Sequence, residues 1–263
     1  MDRARIKTFL LLLLLAVNLV FLSIIVIDRV QEAQLWSETR SELVQALERL
    51  GIAIDPAAIP DCAPQPILFV ERDIHAETQA VSAILGDPAE GTHEGGGIYR
   101  WTGRYGDGEI RQASFWFRLS GEGRSGTDTG EFLAQMGLTA RWTGARALPY
   151  GHWETYILTV DDLPVVNSQV NFRIAGGALQ EVGGTALWGR KQRYHAGHQL
   201  DVTTALVTLA GYLQETSAVS RFERVEMGYD LSEGPGIFEL RPVWVVETDG
   251  GTFSIDRQSG EIR

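Results

Sequence analysis

Residues 9–27 form an almost uninterrupted hydrocarbon stretch, and this stretch limits what the rest of the chain can be. Nineteen residues at about 1.5 Å each make a helix of roughly 28 Å, close to the ~30 Å core of a bilayer. Only Asn18 and Ser23 interrupt the run. Arg3, Arg5 and Lys7 precede it, opposed by Asp2 alone. Basic flanks stay on the cytoplasmic side. The expected topology is a cytoplasmic tail at 1–8, a single transmembrane helix at 9–27 and an extracytoplasmic remainder in the cell membrane. A cleaved signal peptide is the rival. It has a shorter apolar region, about 7–15 residues, and a small-x-small cleavage site. Asp28-Arg29-Val30-Gln31-Glu32-Ala33 has no such pair of small residues, so the sequence favours an uncleaved anchor.

The remainder is acidic. Of 23 basic and 34 acidic residues, three basic and two acidic lie in 1–28, leaving a net charge of −12 beyond the anchor. Nucleic-acid binding needs basic surface to meet phosphates, so that class is disfavoured. Cys62 is the sole cysteine, which rules out an intrachain disulfide. It reads as an incidental thiol in the Pro-rich stretch 56–66, with an intermolecular bond or lipidation as the sharper alternatives.

Past the anchor, residues 30–50 read as a helix. Trp36, Leu43, Leu47 and Leu50 form its apolar stripe and Gly51 its stop, and the stripe should pack on the ectodomain. Residues 28–66 are therefore a juxtamembrane helix plus a Pro-rich linker. An N-terminal α+β part follows at 67–127, with strands near 67–70, 98–102 and 109–119 and a short helix over 77–85. In 109–119, Ala113, Phe115, Phe117 and Leu119 alternate onto one face. A C-terminal α+β part covers 128–263. Asp128 caps a short helix ended by Gly137. Strands, a hairpin turning at Gly176-Gly177 and a polar connection over 190–197 come next. Asp201 caps the most regular soluble helix, with Val202, Ala205, Leu206, Leu209 and Leu213 in helical spacing. Three strands end the chain. The order helix–strand–strand–strand occurs after Asp128 and again after Asp201. The fold class expected is α+β: one transmembrane helix and two units of antiparallel meander packed on a helix.

Catalytic patterns fail on context. Gly121-x-Gly123-x-x-Gly126 spells a dinucleotide fingerprint but lacks the parallel βαβ unit that fingerprint serves. Asp128-Thr129-Gly130 spells the aspartic-protease triplet without a second copy or apolar flanks, and helix capping explains it. His195 and His198 sit on a polar connection with no third ligand at metal-site spacing, and His75, His93 and His152 are isolated. The reading is non-enzymatic, with no catalytic, cofactor or metal residues. Asn18 and Ser23 are the candidate partner-facing residues within the membrane, because a polar side chain in lipid gains from an interhelical partner. Asn18 could equally bond its own backbone. Arg3, Arg5 and Lys7 are the topology determinants.

The opening Met1-Asp2-Arg3-Ala4-Arg5-Ile6-Lys7-Thr8-Phe9-Leu10, then Asn18 and Leu50-Gly51-Ile52, resemble the YycI (WalI) regulators of Gram-positive bacteria. So do Leu163-Pro164-Val165-Val166-Asn167 through Ile174, Val225 to Tyr229, Arg241 to Val246, and Ser259-Gly260-Glu261-Ile262. The resemblance covers about half of the chain and leaves 91–130 unmatched. It implies a single-pass regulatory protein of a two-component system. Such a protein joins a YycH-like membrane partner and acts on a YycG/WalK-like sensor histidine kinase that governs cell-wall homeostasis. A homodimer is also compatible. The alternative is a tethered ligand-binding or protease-inhibitory module, because Trp244 to Ile262 is similar to small PepSY-like helix-plus-meander units.

Overall fold

One long hairpin carries two hydrophobic cores. The computed structural model describes residues 14, 17–22, 34–61, 63–87, 89–120, 128–216, 219–234 and 236–263. In chain order the elements begin with helix α1 (34–49), strand β1 (Ala53–Ile54), a 3₁₀ turn at Pro56–Ala58, β2 (Ile67–Arg72) and α2 (Ile74–Leu85). Next come β3 (Glu90–Gly95), β4 (Ile98–Gly103), β5 (Gly106–Arg111), β6 (Ser114–Leu119), α3 (Thr129–Gln135), β7 (Ala140–Leu148) and β8 (Gly151–Val160). The chain continues with β9 (Leu163–Pro164), β10 (Val170–Ala175), β11 (Ala178–Thr185), β12 (Gly189–Tyr194), α4 (Val202–Thr216), β13 (Arg221–Gly234), β14 (Ile237–Thr248) and β15 (Gly251–Asp256).

The fold is mixed α+β and mostly sheet. A nine-stranded sheet runs β3-β4-β5-β6-β11-β10-β8-β7, with β9 joined to β8. A six-stranded sheet runs β1-β13-β14-β2-β12, with β15 also on β14. Strands from both sides of residue 128 share each sheet. After α3 the chain runs through β7 to β12 before α4, and after α4 through β13, β14 and β15, so the two stretches differ in strand number.

Along one edge, β14 pairs with β13 throughout. Along the other, Ile237–Leu240 pair with β2 and Val243–Thr248 with β15. Pro242 stands where the partner changes. Its carbonyl accepts from Arg257 N (3.0 Å), so its nitrogen, which has no hydrogen to donate, faces the same gap between β2 and β15. The hairpin thereby serves both cores. Tyr229, Leu231, Phe238 and Leu240 join the nine-stranded sheet, α2 and α3 in the first. Phe222, Val225, Trp244 and Val246 join α1, α4, β1 and β15 in the second.

The two sheets are also stitched through β9. Val165 bridges Tyr229, and Val166 N donates to Tyr229 O at 2.9 Å. The Asn167 side chain then imitates a strand, with its Nδ2 donating to Leu231 O (2.7 Å) and its Oδ1 accepting from Leu231 N (2.8 Å). Gly228 lies beneath this crossing. A Cβ there would fall 2.9 Å from Pro164 O, so only glycine lets the segment seat.

Tyr229 is fully buried, and its hydroxyl has no hydrogen-bond partner among the described residues. Burial, reinforced by the Asp161 charge and opposed by Arg193 and Arg257, pushes its pKa up to about 12. A buried orphan hydroxyl costs about 1–3 kcal/mol. Tyr229→Phe is therefore expected to raise stability by about 1 kcal/mol in urea unfolding. The phenol is held neutral in the folded state, so the unfolded state ionises first. This group's contribution to stability falls as pH rises from about 10 towards 12. Tyr229→Phe should remove that part of the alkaline loss, and a destabilised variant would contradict the assignment.

Several expectations are corrected here. The strand expected over 109–119 is two, β5 and β6, turning at Gln112 with a φ of 54°. The inward parity switches from even (Ile110) to odd (Phe115) across that turn. The connection at 190–197 contains an edge strand, β12, paired with β2 over six residues. Arg190, Lys191 and Arg193 hide it, since charged edges read as loop while protecting the sheet from further pairing. The Gly-rich run after Pro88 contains β3, and the linker contributes β1 and the buried Ile52, Ile54 and Ile59.

Candidate functional site

Helix α1, the linker and the segment after β15 converge on the second core. In α1, Leu43 and Leu47 are buried, and Trp36, Val44 and Leu50 pack alongside. Arg40 stacks on Trp36 at 5.4 Å and donates to Ile59 O at 2.9 Å, so the helix is tied to the linker as well as to the core. Gln214 of α4 donates to Leu50 O at 3.0 Å. Asp201 Oδ1 accepts from Thr204 N at 2.8 Å, the expected cap of α4. Val202, Ala205, Leu206, Leu209 and Leu213 all face the second core.

The turn after β15 locks this junction. Asp256 Oδ1 accepts from Gln258 N (2.7 Å) and Ser259 N (2.8 Å), an Asx turn that shapes Asp256 to Gly260. That shape drives Arg257 inward until it is 1 % exposed. Its Nη1 donates to Ala63 O (3.0 Å) and approaches Met227 Sδ (3.5 Å), and the guanidinium lies 4.6 Å from the Trp244 ring centroid. Arg257 O accepts from Leu200 N (2.6 Å), and Trp244 Nε1 donates to Leu200 O (3.0 Å). One turn thus holds the linker, the entry to α4 and β14. A desolvated cation over an indole is worth about 2 kcal/mol, which suits a structural clamp. Nearby, Asp230 bonds Arg263. Burial raises the Asp230 pKa, and Arg263 opposes that shift. The importance of Arg257 was missed in the sequence. The signal was present in Asp256 followed by Ser259-Gly260, a turn pattern that sends the intervening residue towards β14.

A second polar cluster lies at the start of α3. Asp128 caps the helix through Gly130 N (2.7 Å) and Glu131 N (3.1 Å). The Thr129 hydroxyl is 2.6 Å from both Glu154 Oε2 and the Tyr156 hydroxyl, and His152 Nε2 is 3.1 Å from Glu154 Oε1. Burial, the main cause, raises the Tyr156 pKa. Thr129 is 7 % exposed, and its hydroxyl bonds within the cluster. The group therefore welds α3 to β8.

The remaining predicted residues fall as follows. Asn18 is exposed on the helical piece 17–22, together with Val17, Leu19, Val20, Phe21 and Leu22. Ser23, Arg3, Arg5, Lys7, Cys62 and Gly121 to Gly126 lie outside the described residues, as does most of 9–27. Among the described residues no helix is long and apolar enough to cross a membrane. His195 and His198 are exposed, and no group of three or more His, Cys, Asp or Glu among the described residues could hold a metal ion.

No protein-family model matches the chain, and no curated protein matches it. Among solved structures, the Bacillus megaterium YpeB C-terminal domain is similar at 12 % identity, covering 74 % of this chain and 98 % of that one, with a TM-score of 0.37.

Proposed function

We propose that the protein is a membrane-anchored, non-enzymatic regulator of a sensor histidine kinase, tethered by residues 9–27 with its folded part outside the cytoplasm. It would act beside a YycH-like membrane partner on a kinase of the YycG/WalK kind. The observation that carries this reading is that α1 is part of the second core. Leu43 is 2 % and Leu47 0 % exposed. A helix described from residue 34 onward, close to the anchor in sequence and packed into the ectodomain, ties the ectodomain's state to the position of the anchor. A flexible stalk would not. The resemblance at both ends of the chain supports the same reading.

Two measurements test it. A reporter fused after Arg263 should work only if it is active outside the cytoplasm; activity of a cytoplasm-only reporter would overturn the topology. In proteoliposomes holding the kinase, adding the full chain should change autophosphorylation. Asn18→Leu should reduce co-purification while leaving the ectodomain folded, since an interhelical side-chain bond is worth roughly 0.6–2 kcal/mol. Unchanged kinase output with and without the protein would sink the regulatory role.

A further inference from the structure

The outward face of the nine-stranded sheet carries a shallow groove of about 440 Å³ where β6, β10 and β11 meet the segment after β9. Its volume lies within the range of small-molecule sites. None of its lining side chains ionises: Ser114, Asn167, Gln169, Asn171 and Thr185 supply hydroxyls and amides, and Phe115, Val166 and Gly184 the rest. Asn167 is committed to Leu231. Asn171 Oδ1 accepts from Thr155 Oγ1 at 2.9 Å, which leaves its amide N–H groups facing no described acceptor. The side chains of Ser114, Gln169 and Thr185 make no hydrogen bond to another described residue.

Trp116 stands beside this groove. It is two residues from Ser114 on the same strand, so both side chains project from the outward face. Gly183 pairs with Trp116 on one side and with Asn171 on the other. A Cβ at Gly183 would come within 2.9 Å of Trp116 Cδ1, so the glycine leaves room for that edge of the indole beside β11. Trp116 keeps 39 % of its surface open, with the Arg118 guanidinium 5.1 Å from its ring centroid.

We infer that this groove binds an uncharged oligosaccharide. A sugar ring presents C–H groups on its faces and hydroxyls around its rim. The indole takes the C–H face, since the negative face of an aromatic ring attracts the weakly positive hydrogens. The amides and hydroxyls of Gln169, Asn171, Ser114 and Thr185 take the rim. The lining side chains offer a charged ligand no counter-charge; Arg118, set against the Trp116 ring, is the nearby cation, and tetragalacturonate tests whether it recruits an anion. An apolar peptide would bury these polar groups without partners, at a cost for each. The inference stands apart from the regulatory reading, because binding is measured with no kinase present.

The test uses the full chain in a detergent without a sugar headgroup. Cellotetraose, the β-1,4-linked N-acetylglucosamine tetramer and tetragalacturonate are titrated by calorimetry and by tryptophan fluorescence. At least one uncharged tetramer should bind saturably. Trp116→Ala should weaken it at least tenfold and Gln169→Ala several-fold, whereas Trp142→Ala, at an exposed indole outside the groove, should leave it unchanged. Both active substitutions are at exposed positions, so circular dichroism should match wild type. Binding of tetragalacturonate alone, binding of none of the three, or equal affinity in Trp116→Ala would overturn the assignment.

Discussion

Replacing Glu77 with alanine is expected to cost about 3–5 kcal/mol of folding stability, because it strands a buried guanidinium. Glu77 is 2 % exposed and the Arg72 side chain 9 %. The pair is bidentate, with Nε to Oε1 at 2.5 Å and Nη2 to Oε2 at 2.9 Å. Arg72 also donates to Gly97 O at 2.8 Å and lies 4.9 Å from the Tyr99 ring centroid. It belongs to β2 in the six-stranded sheet, whereas Gly97 and Tyr99 belong to the β3–β4 hairpin of the nine-stranded sheet. Glu77 sits in the first turn of α2, where the helix dipole also favours its charge. Three elements therefore lose a shared partner at once. Arg72→Met combined with Glu77→Leu should recover most of the loss, since desolvating two charges offsets much of their attraction. Urea unfolding of the single and double variants measures both effects. A Glu77→Ala cost below 1 kcal/mol would show that the pair is effectively solvated.

This pair was not legible in the sequence, and the reason is general. Local periodicity exposes what repeats within one element. It gave α4 through Val202, Ala205, Leu206, Leu209 and Leu213, and the β10–β11 hairpin through Gly176-Gly177, whose φ values of 61° and 75° suit a tight turn. Helix caps at Asp128 and Asp201 and the packing of Leu43 and Leu47 were equally local signals. Arg72–Glu77 joins a strand end to a helix start in order to reach a third element, and Arg257 reaches back to Ala63. No spacing rule encodes either contact. The polar groove was hidden for the same reason: Ser114, Gln169, Asn171 and Thr185 come from three strands and a loop. Edge strands failed for a different cause. β12 carries charges because its free edge must resist pairing, so the physics that protects it also erases its strand signature.

The resulting picture has two attachment points of unequal kind. The nine-stranded sheet holds its own core and leaves one face to solvent. The hairpin β13–β14 connects that core to the second, where α1 docks. Any load on α1 would reach the large sheet through Trp244 and Val246 at one end of β14 and Phe238 and Leu240 at the other. Side chains along one twisted hairpin are rigid enough to carry such strain, because close-packed interiors have few alternatives to their packing.

The contact at which that path begins is Leu47. It is fully buried in the second core, which α4, β1, β13 and β14 also line, and its carbonyl accepts from Ile52 N at 3.0 Å where the chain leaves α1. Leu47→Ala removes about three methylene equivalents and leaves a cavity, a loss of about 2–5 kcal/mol. Leu35, on the same helix but 65 % exposed, is the control, and Leu35→Ala should change stability by no more than about 0.5 kcal/mol. The loss should be regional as well as global. Amide hydrogen exchange in α1 and the first turns of α4 should quicken in Leu47→Ala, whereas β4 to β6, held by the other core, should keep their protection until global unfolding. Under the proposed function the same substitution uncouples the anchor from the ectodomain, so kinase output in proteoliposomes should become insensitive to the protein although it still inserts and its nine-stranded sheet still folds. Uniformly faster exchange across both cores would show one cooperative body in place of two coupled ones. Unaltered exchange in α1 would mean that this helix is held by something other than its buried leucines.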